Sequence, residues 1–324
     1  MSTPTALHPF KSVSYSGRAP GTRLIVTGAV HGNEVCGTLA IRRLIDQIDR
    51  GELAIARGQL TLVPVTNPLA HAKGVRAGDR NLNRALGPAA IPREFEDHVA
   101  NWLCPLLAAH QVLLDLHSFQ SNGRPFVMVG PLDNRGPVEP FEQAAREEAW
   151  VRVLGVDRAV DGWLGTYAHG VARRQAEAAA AGLSGTLDLN PNYGVGTTEY
   201  MRAQGGCALT LECGQHQDPA APEVAYRAIR HTLAHFGLTD EPAPAPVPQI
   251  EALSLHEVID KRHANDRFAR PWQSFDALAE GELIGTRADG TEVRAPRAGR
   301  IVFPNAVAQA RNEWFYLAQP SGRF

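Results

Sequence analysis

His31 and Glu34 stand three residues apart in VTGAVHGNEVCG (26–37), where an apolar run ends between glycines and helix-forming sequence begins. A helix starting near Asn33 lets both side chains converge at the carboxyl end of a strand, the place where open α/β sheets put their ligands. Gly28 and Gly32 permit a tight backbone there. A histidine and a glutamate supply two of the three protein ligands of a His₂Glu catalytic zinc site. The best third ligand is His117 in VLLDLHSF, at the end of another apolar run. Asp115, two residues earlier, shares its strand face and is placed to orient the imidazole.

Two further stretches carry chemistry. GVRAGDRNLNRALG (74–87) concentrates Arg76, Arg80 and Arg84 with Asn81 and Asn83. Alone it reads as a solvated, helix-capping loop. Beside a metal it reads as a carboxylate anchor, because arginine offers a bidentate fork and asparagine a directional hydrogen bond. CALTLECG (207–214) puts Glu212 at the end of an apolar run. Burial of an unpaired acid is costly, and a general base beside a metal-activated water gives such an acid a purpose. Cys213 and His216 follow at once, so a thiol enzyme is a competing reading; it requires a thiol pKa lowered by a nearby cation.

The elements that must position these residues alternate. TRLIVTG (22–28), QLTLVPVTN (59–67), VLLDLHS (112–118), PFVMVG (125–130) and CALTLECG read as strands. Residues 40–48, 93–110, 139–155 and 223–238 carry apolar side chains at helical spacing. Strand–helix alternation predicts an α/β layer with a mostly parallel sheet. Between them, GVARRQAEAAAAGL reads as an Ala-rich helix and DLNPNYGVGTTEY as a loop, with TTEYMRAQGG (197–206) in a pocket wall. EPAPAPVPQ (241–249) is an extended Pro/Ala linker. It divides residues 1–240, which hold every motif above, from residues 250–324, where short runs and turn signals predict a small β-rich, barrel-like domain.

Composition narrows the function. The chain has 324 residues, a net charge of -2 and 44% hydrophobic residues, ordinary values for a soluble globular protein. Lys11, Lys73 and Lys261 are its only lysines, and no basic run with interleaved aromatics points to nucleic acid. The N-terminus shows no secretory apolar core and no stretch is long enough to span a membrane. The four cysteines have no metal-finger spacing and read as buried thiols, so a cytoplasmic protein is expected.

In order and spacing, GAVHGNE (28–34), NLNR (81–84), LLDLHSF (113–119) and TLECG (210–214) resemble the succinylglutamate desuccinylase/aspartoacylase family. That family lies within the wider zinc-carboxypeptidase-like fold. The likeness spans about residues 20–240, and the linker with the small β domain looks like that family's C-terminal part. It implies a three-layer α/β/α domain around a central mixed, mostly parallel sheet. It also implies one zinc ion per chain, with His31, Glu34 and His117 as ligands and Glu212 as catalytic base and acid. By the same likeness, Asn83 and Arg84 grip a substrate carboxylate and Arg76 polarises the scissile carbonyl. Arg202, ten residues before Glu212, matches a substrate side-chain-binding arginine by spacing. One departure is Asn81, where the aspartoacylase-type motif favours Asp. The activity implied is hydrolysis of the amide bond of an N-acyl amino acid or related small molecule. A zinc carboxypeptidase acting on peptides, or a non-catalytic metal- or ligand-binding protein on the same scaffold, are the alternatives. The β domain is expected to cap the site's mouth or to support a homo-oligomer interface. EVRAPRAGRIVFPN has a biotinyl-carrier flavour, but no lysine follows Lys261 to carry a group.

Overall fold

A computed structural model describes residues 8–180 and 189–324. The start of the N-terminal stretch, the end of the Ala-rich segment (181–183) and Asp188 lie outside the described residues.

In chain order the first elements are strands β1 (Val13–Ser16) and β2 (Ala19–Gly28), helix α1 (Cys36–Asp49), β3 (Arg57–Val63), α2 (Pro68–Lys73), α3 (Phe95–Ala108), β4 (Val112–Phe119) and β5 (Phe126–Met128). Then come α4 (Ala144–Val151), β6 (Arg158–Asp161), α5 (Trp163–Ala180), α6 (Thr197–Ala203), β7 (Cys207–Gln215) and α7 (Ala221–His235). Up to this point four strand pairings are parallel, β2/β3, β2/β4, β4/β7 and β5/β6, and two are antiparallel, β1/β3 and β5/β7. The expected mixed, mostly parallel sheet is present in this part of the chain.

Two apolar cores lie on opposite faces of the sheet, and strand alternation assigns side chains to them. Leu24 and Val26 of β2, Leu114 and Leu116 of β4, and Leu209 and Leu211 of β7 join α1, α4 and α7 in one core. Ile25, Leu113 and Ala208 join α3 and α6 in the other. Continuing the second set along each strand leads to Thr27, then Asp115 and His117, then Thr210 and Glu212. Apolar residues anchor the buried middle of each strand, and polar ones occupy its carboxyl end.

The remaining strands are β8 (Glu251–Asp260), β9 (Arg267–Phe268), β10 (Ala277–Leu278), β11 (Leu283–Thr286), β12 (Glu292–Arg294), β13 (Gly299–Val302) and β14 (Glu313–Pro320). The segment 241–249 contains no helix or strand. Beyond it, β9, β11 and β12 form a separate small sheet, while β8, β14, β13 and β10 extend the main one. The join is β8 running parallel to β6, with Val160 opposite Leu253. Trp272, Ile284, Trp314 and Phe315 build a further core there. Among the described residues no helix is long and apolar enough to cross a membrane.

Candidate active site and metal centre

The turn bearing the first two candidate ligands is not helical. Glu34 donates its backbone N–H to the carbonyl of His31 at 3.1 Å, and α1 begins only at Cys36. A tight turn, rather than the first turn of a helix starting near Asn33, brings the two side chains together. Gly32 makes it possible by close approach: a Cβ there would lie 2.0 Å from the carbonyl carbon of Ala70 in α2.

Glu34 is the hub. Its Oε1 lies 2.9 Å from His31 Nδ1, and its Oε2 lies 2.9 Å from His117 Nδ1 and accepts from the backbone N–H of Ser118 at 3.2 Å. One ligand-grade atom from each of His31, Glu34 and His117 lies within 4.8 Å of the others, and all three residues are buried. The outer nitrogen of each imidazole is also tied. His117 Nε2 meets Asp115 Oδ2 at 2.8 Å, and His31 Nε2 meets Asn81 Oδ1 at 3.1 Å. Asp115 is fixed in turn by the hydroxyls of Thr27, at 2.7 Å, and Thr197. Asn81, the departure within NLNR, thus stands behind His31 as Asp115 stands behind His117, and this support was not foreseen from the sequence. A neutral carboxamide oxygen accepts the imidazole N–H, as a carboxylate would, without adding a second buried negative charge.

The electrostatics follow from burial and neighbours. Burial, with Arg76 adding to it, pushes His31 down to about 4. Burial opposes ionisation of Glu34, yet His31 and His117 hold its carboxyl well below the usual range. His117 is raised well above its ordinary value by Asp115 and Glu34, against the effect of burial.

Glu212 lies beside His117 on the neighbouring parallel strand, the two being register partners. It is 7% exposed, and its Oε2 is buried with no hydrogen-bond partner. Burial pushes its carboxyl up to about 8. Cys213, next along, faces the opposite core, where burial raises its thiol well above the ordinary value. That is the reverse of what a thiolate nucleophile needs. His216 reaches the same region, held by Ser118 Oγ on its Nδ1 at 2.8 Å.

His31, His117 and Glu212 open on a cavity of about 450 Å³. Arg76, Asn83, Arg84 and Arg202 also line it. Arg76 is half-exposed at the rim and donates to Glu34 Oε1 at 2.9 Å. Asn83 uses its side-chain oxygen to accept the N–H of Thr197, at the start of α6, at 2.9 Å. Arg84 is buried under Tyr167, with its guanidinium carbon 4.6 Å from the ring centre; Glu313 lies 3.7 Å away and Nε has no partner. Arg80 does not reach the cavity. It bonds Asp97 and Glu94 at 3.0 and 3.2 Å and braces the loop, the bland alternative for that arginine. Arg202 is engaged by Glu147 and Glu139 at 2.9 and 3.0 Å.

Of the cavity wall, sequence reasoning reached residues 197–206, where Thr198, Glu199 and Arg202 line it, and passed over the rest. Trp163 comes from α5, and Phe303, Glu313 and Tyr316 from the C-terminal strands and their loops. Tyr167 and Tyr316 share a hydroxyl–hydroxyl bond of 2.6 Å that joins α5 to β14. The β-rich segment therefore contributes side chains directly to the cavity. No local motif signals these side chains, because only the completed sheet brings them to residues 31–117.

Comparison with known proteins agrees with this architecture. Among solved structures, the chain superposes on a succinylglutamate desuccinylase/aspartoacylase from Rhodobacter sphaeroides with a TM-score of 0.71 at 16% identity, covering 97% of this chain and 89% of that one. It superposes on succinylglutamate desuccinylase from Vibrio cholerae with a TM-score of 0.69 at 19% identity, covering 95% and 85%. These likenesses define the fold class. The sequence model of the succinylglutamate desuccinylase/aspartoacylase catalytic domain matches residues 20–234. The chain belongs to that family of deacylases. It is also 37% identical over 118 residues to an N-acyl-aromatic-L-amino acid amidohydrolase (carboxylate-forming) of Mus musculus, and equally to that of Rattus norvegicus. That match covers 32% of this chain and 36% of either relative, so the chain spans about a third of the length of these curated relatives.

Proposed function

We propose that the chain hydrolyses the amide bond of a small N-acyl amino acid, with one zinc ion held by His31, Glu34 and His117 and with Glu212 as general base and acid. The observation that carries this reading is the meeting of three buried ligand-grade side chains within 4.8 Å of one another beside a buried carboxylate oxygen with no partner of its own. The donor set fits zinc: two imidazoles and a carboxylate, with each imidazole's far nitrogen anchored by a second acceptor. When bound, zinc supplies Lewis acidity that brings the pKa of water toward about 7.

Glu212 then takes a proton from the water that attacks the acyl carbon. It returns that proton to the amine nitrogen as the C–N bond breaks, giving a free amine and a carboxylate. Burial raises its pKa and a bound cation nearby would draw it back down, toward the range in which one carboxyl can both take and return a proton. Asn83 and Arg84 hold the carboxylate of the amino-acid part. Burial among aromatic rings makes the guanidinium fork of Arg84 worth more than it is in water. Arg76, at the rim, stabilises the oxyanion.

The cavity wall bears on the substrate. Phe119, Trp163, Phe303 and Tyr316 surround a space of small-molecule size, which favours a compact N-acyl amino acid over the open cleft a peptide needs. The activity named for the mouse and rat relatives makes N-acyl aromatic amino acids the first substrates to try. The four buried thiols fit a reducing, cytoplasmic setting. Turnover of N-acetyl-phenylalanine and N-acetyl-tyrosine, with no cleavage of blocked peptides, is the expected result. Cleavage of the peptides alone would favour the carboxypeptidase reading.

A further inference from the structure

Arg202 occupies one end of the cavity in an unusual setting. One guanidinium lies among three carboxylates: Glu147 at 2.9 Å, Glu139 at 3.0 Å and Glu199 at 3.6 Å. Each of its three nitrogens has a protein partner, since Nη2 donates to the carbonyl of Ala208 at 2.8 Å. Gly130 admits this packing, because a Cβ there would lie 2.4 Å from Nε. Glu147 backs the arginine from the interior and also accepts the N–H groups of Gly130 and Ala208. Glu139 and Glu199 line the cavity, together with Met128, Val129 and Val138. Burial, reinforced by Glu199 and Glu147 against the pull of Arg202, pushes Glu139 up to about 7.

Helix α6 links this end to the carboxylate grip. Asn83 bonds the N–H of Thr197, and Arg202 follows five residues later, roughly 7.5 Å along a helix axis. Both ends line one cavity, so a substrate side chain that leaves the gripped carboxylate along α6 would meet Glu199, Glu139 and Arg202.

We propose that Arg202, Glu139 and Glu199 form a specificity filter that admits neutral amino-acid side chains and turns away a second carboxylate. The proposal rests on the deacylase reading above and fixes the substrate class within it. The cation that would attract an acidic side chain is already satisfied by carboxyl groups at 2.9, 3.0 and 3.6 Å, and the wall offers such a side chain Glu199 and, once ionised above about pH 7, Glu139, both repulsive; selectivity is built by repulsion as well as fit. Arg202 is thus a wall residue whose charge is spent within the protein, in place of the carboxylate-binding role that its spacing suggested.

N-acetyl-glutamine and N-acetyl-glutamate test this, since they have nearly the same shape and differ in charge. On the zinc-loaded enzyme at pH 8.5, where Glu139 is ionised, kcat/KM should favour the glutamine compound by about 100-fold, since opposing like charges in an enclosed site is strongly unfavourable. Glu139→Gln should cut that ratio at least tenfold, chiefly by improving use of the glutamate compound. Equal use by the wild type, or an unchanged ratio in a folded Glu139→Gln, overturns the filter. Calorimetric dissociation constants on the wild type give an arm that needs neither turnover nor the variant: at least tenfold tighter binding of the glutamine compound is expected, and equal binding overturns the proposal. That binding preference without hydrolysis of any N-acyl amino acid would sink the deacylase reading while leaving the filter standing.

Discussion

Replacing Glu212 by Gln should separate catalysis from stability. The substitution keeps the shape of a side chain that is 7% exposed and removes only its capacity to carry charge and move a proton. Loss of a general base of this kind costs about 10²- to 10⁴-fold in rate, and a carboxamide in its place offers no substitute. Zinc content should be unchanged, because the three ligands do not depend on Glu212 for a hydrogen bond. Stability should move the other way. The folded-state pKa of about 8 exceeds the ordinary value near 4.5, so the folded protein holds this proton more tightly than the unfolded chain. Stability is then lost as pH rises from about 4.5 to about 8, and stays lost above that. At about 1.4 kcal/mol per pKa unit, the charged carboxylate costs a few kcal/mol at pH 9. In chelator-treated protein, Glu212→Gln should therefore melt several degrees above wild type at pH 9 and close to it at pH 5. The assay pairs kcat on N-acetyl-phenylalanine at fixed zinc content with melting curves across pH. A variant retaining more than about a tenth of kcat with zinc bound refutes the assigned role of Glu212. A stability gain that does not depend on pH refutes the burial argument.

Other consequences are direct. Gly32→Ala forces a Cβ to within 2.0 Å of the Ala70 carbonyl carbon; it should cost about 2 kcal/mol or more by denaturant titration and lower zinc content by displacing His31. Arg84→Ala should raise KM roughly 10- to 100-fold with a smaller change in kcat, the loss of a charge-assisted pair. It also takes one of its two nearby arginines from half-buried Glu313, so adding Glu313→Gln should recover part of the lost melting temperature; an unchanged KM removes the role assigned to Arg84. Removing residues 250–324 exposes the β6 edge and takes away Phe303 and Tyr316, so the remainder should aggregate or lack activity, as gel filtration and the same assay will show.

What could be read from the sequence was what chain neighbours encode. His31, Glu34, His117 and Glu212 each sit in a short motif at an apolar strand's end, and strand alternation alone put Asp115 on the face of His117. The turn at Glu34 escaped because His and Glu at i, i+3 suit a helix start as well as a tight turn. Close approach of Gly32 to α2 decides between them, and that approach is tertiary. Helix α6 was read as loop and pocket wall because it is short and opens on two threonines, while β1 and β6 are too short to show a period. The partners of Arg202 lay hidden for a related reason. Glu139 and Glu147 precede it by more than fifty residues, and nothing in TTEYMRAQGG shows that its charge is already matched. Glu313 and Tyr316 are more distant still, and reach the cavity only because β8 and β14 extend the main sheet.

Metal content, measured together with activity in wild type and His117→Ala, tests the central claim most directly. One zinc per wild-type chain at pH 7.5 is expected, with hydrolysis of N-acetyl-phenylalanine lost on chelation and restored by zinc, and with neither metal nor activity in His117→Ala. Wild-type protein prepared without chelator that hydrolyses the substrate yet carries no stoichiometric metal, or a His117→Ala variant that keeps both zinc and turnover, would contradict it.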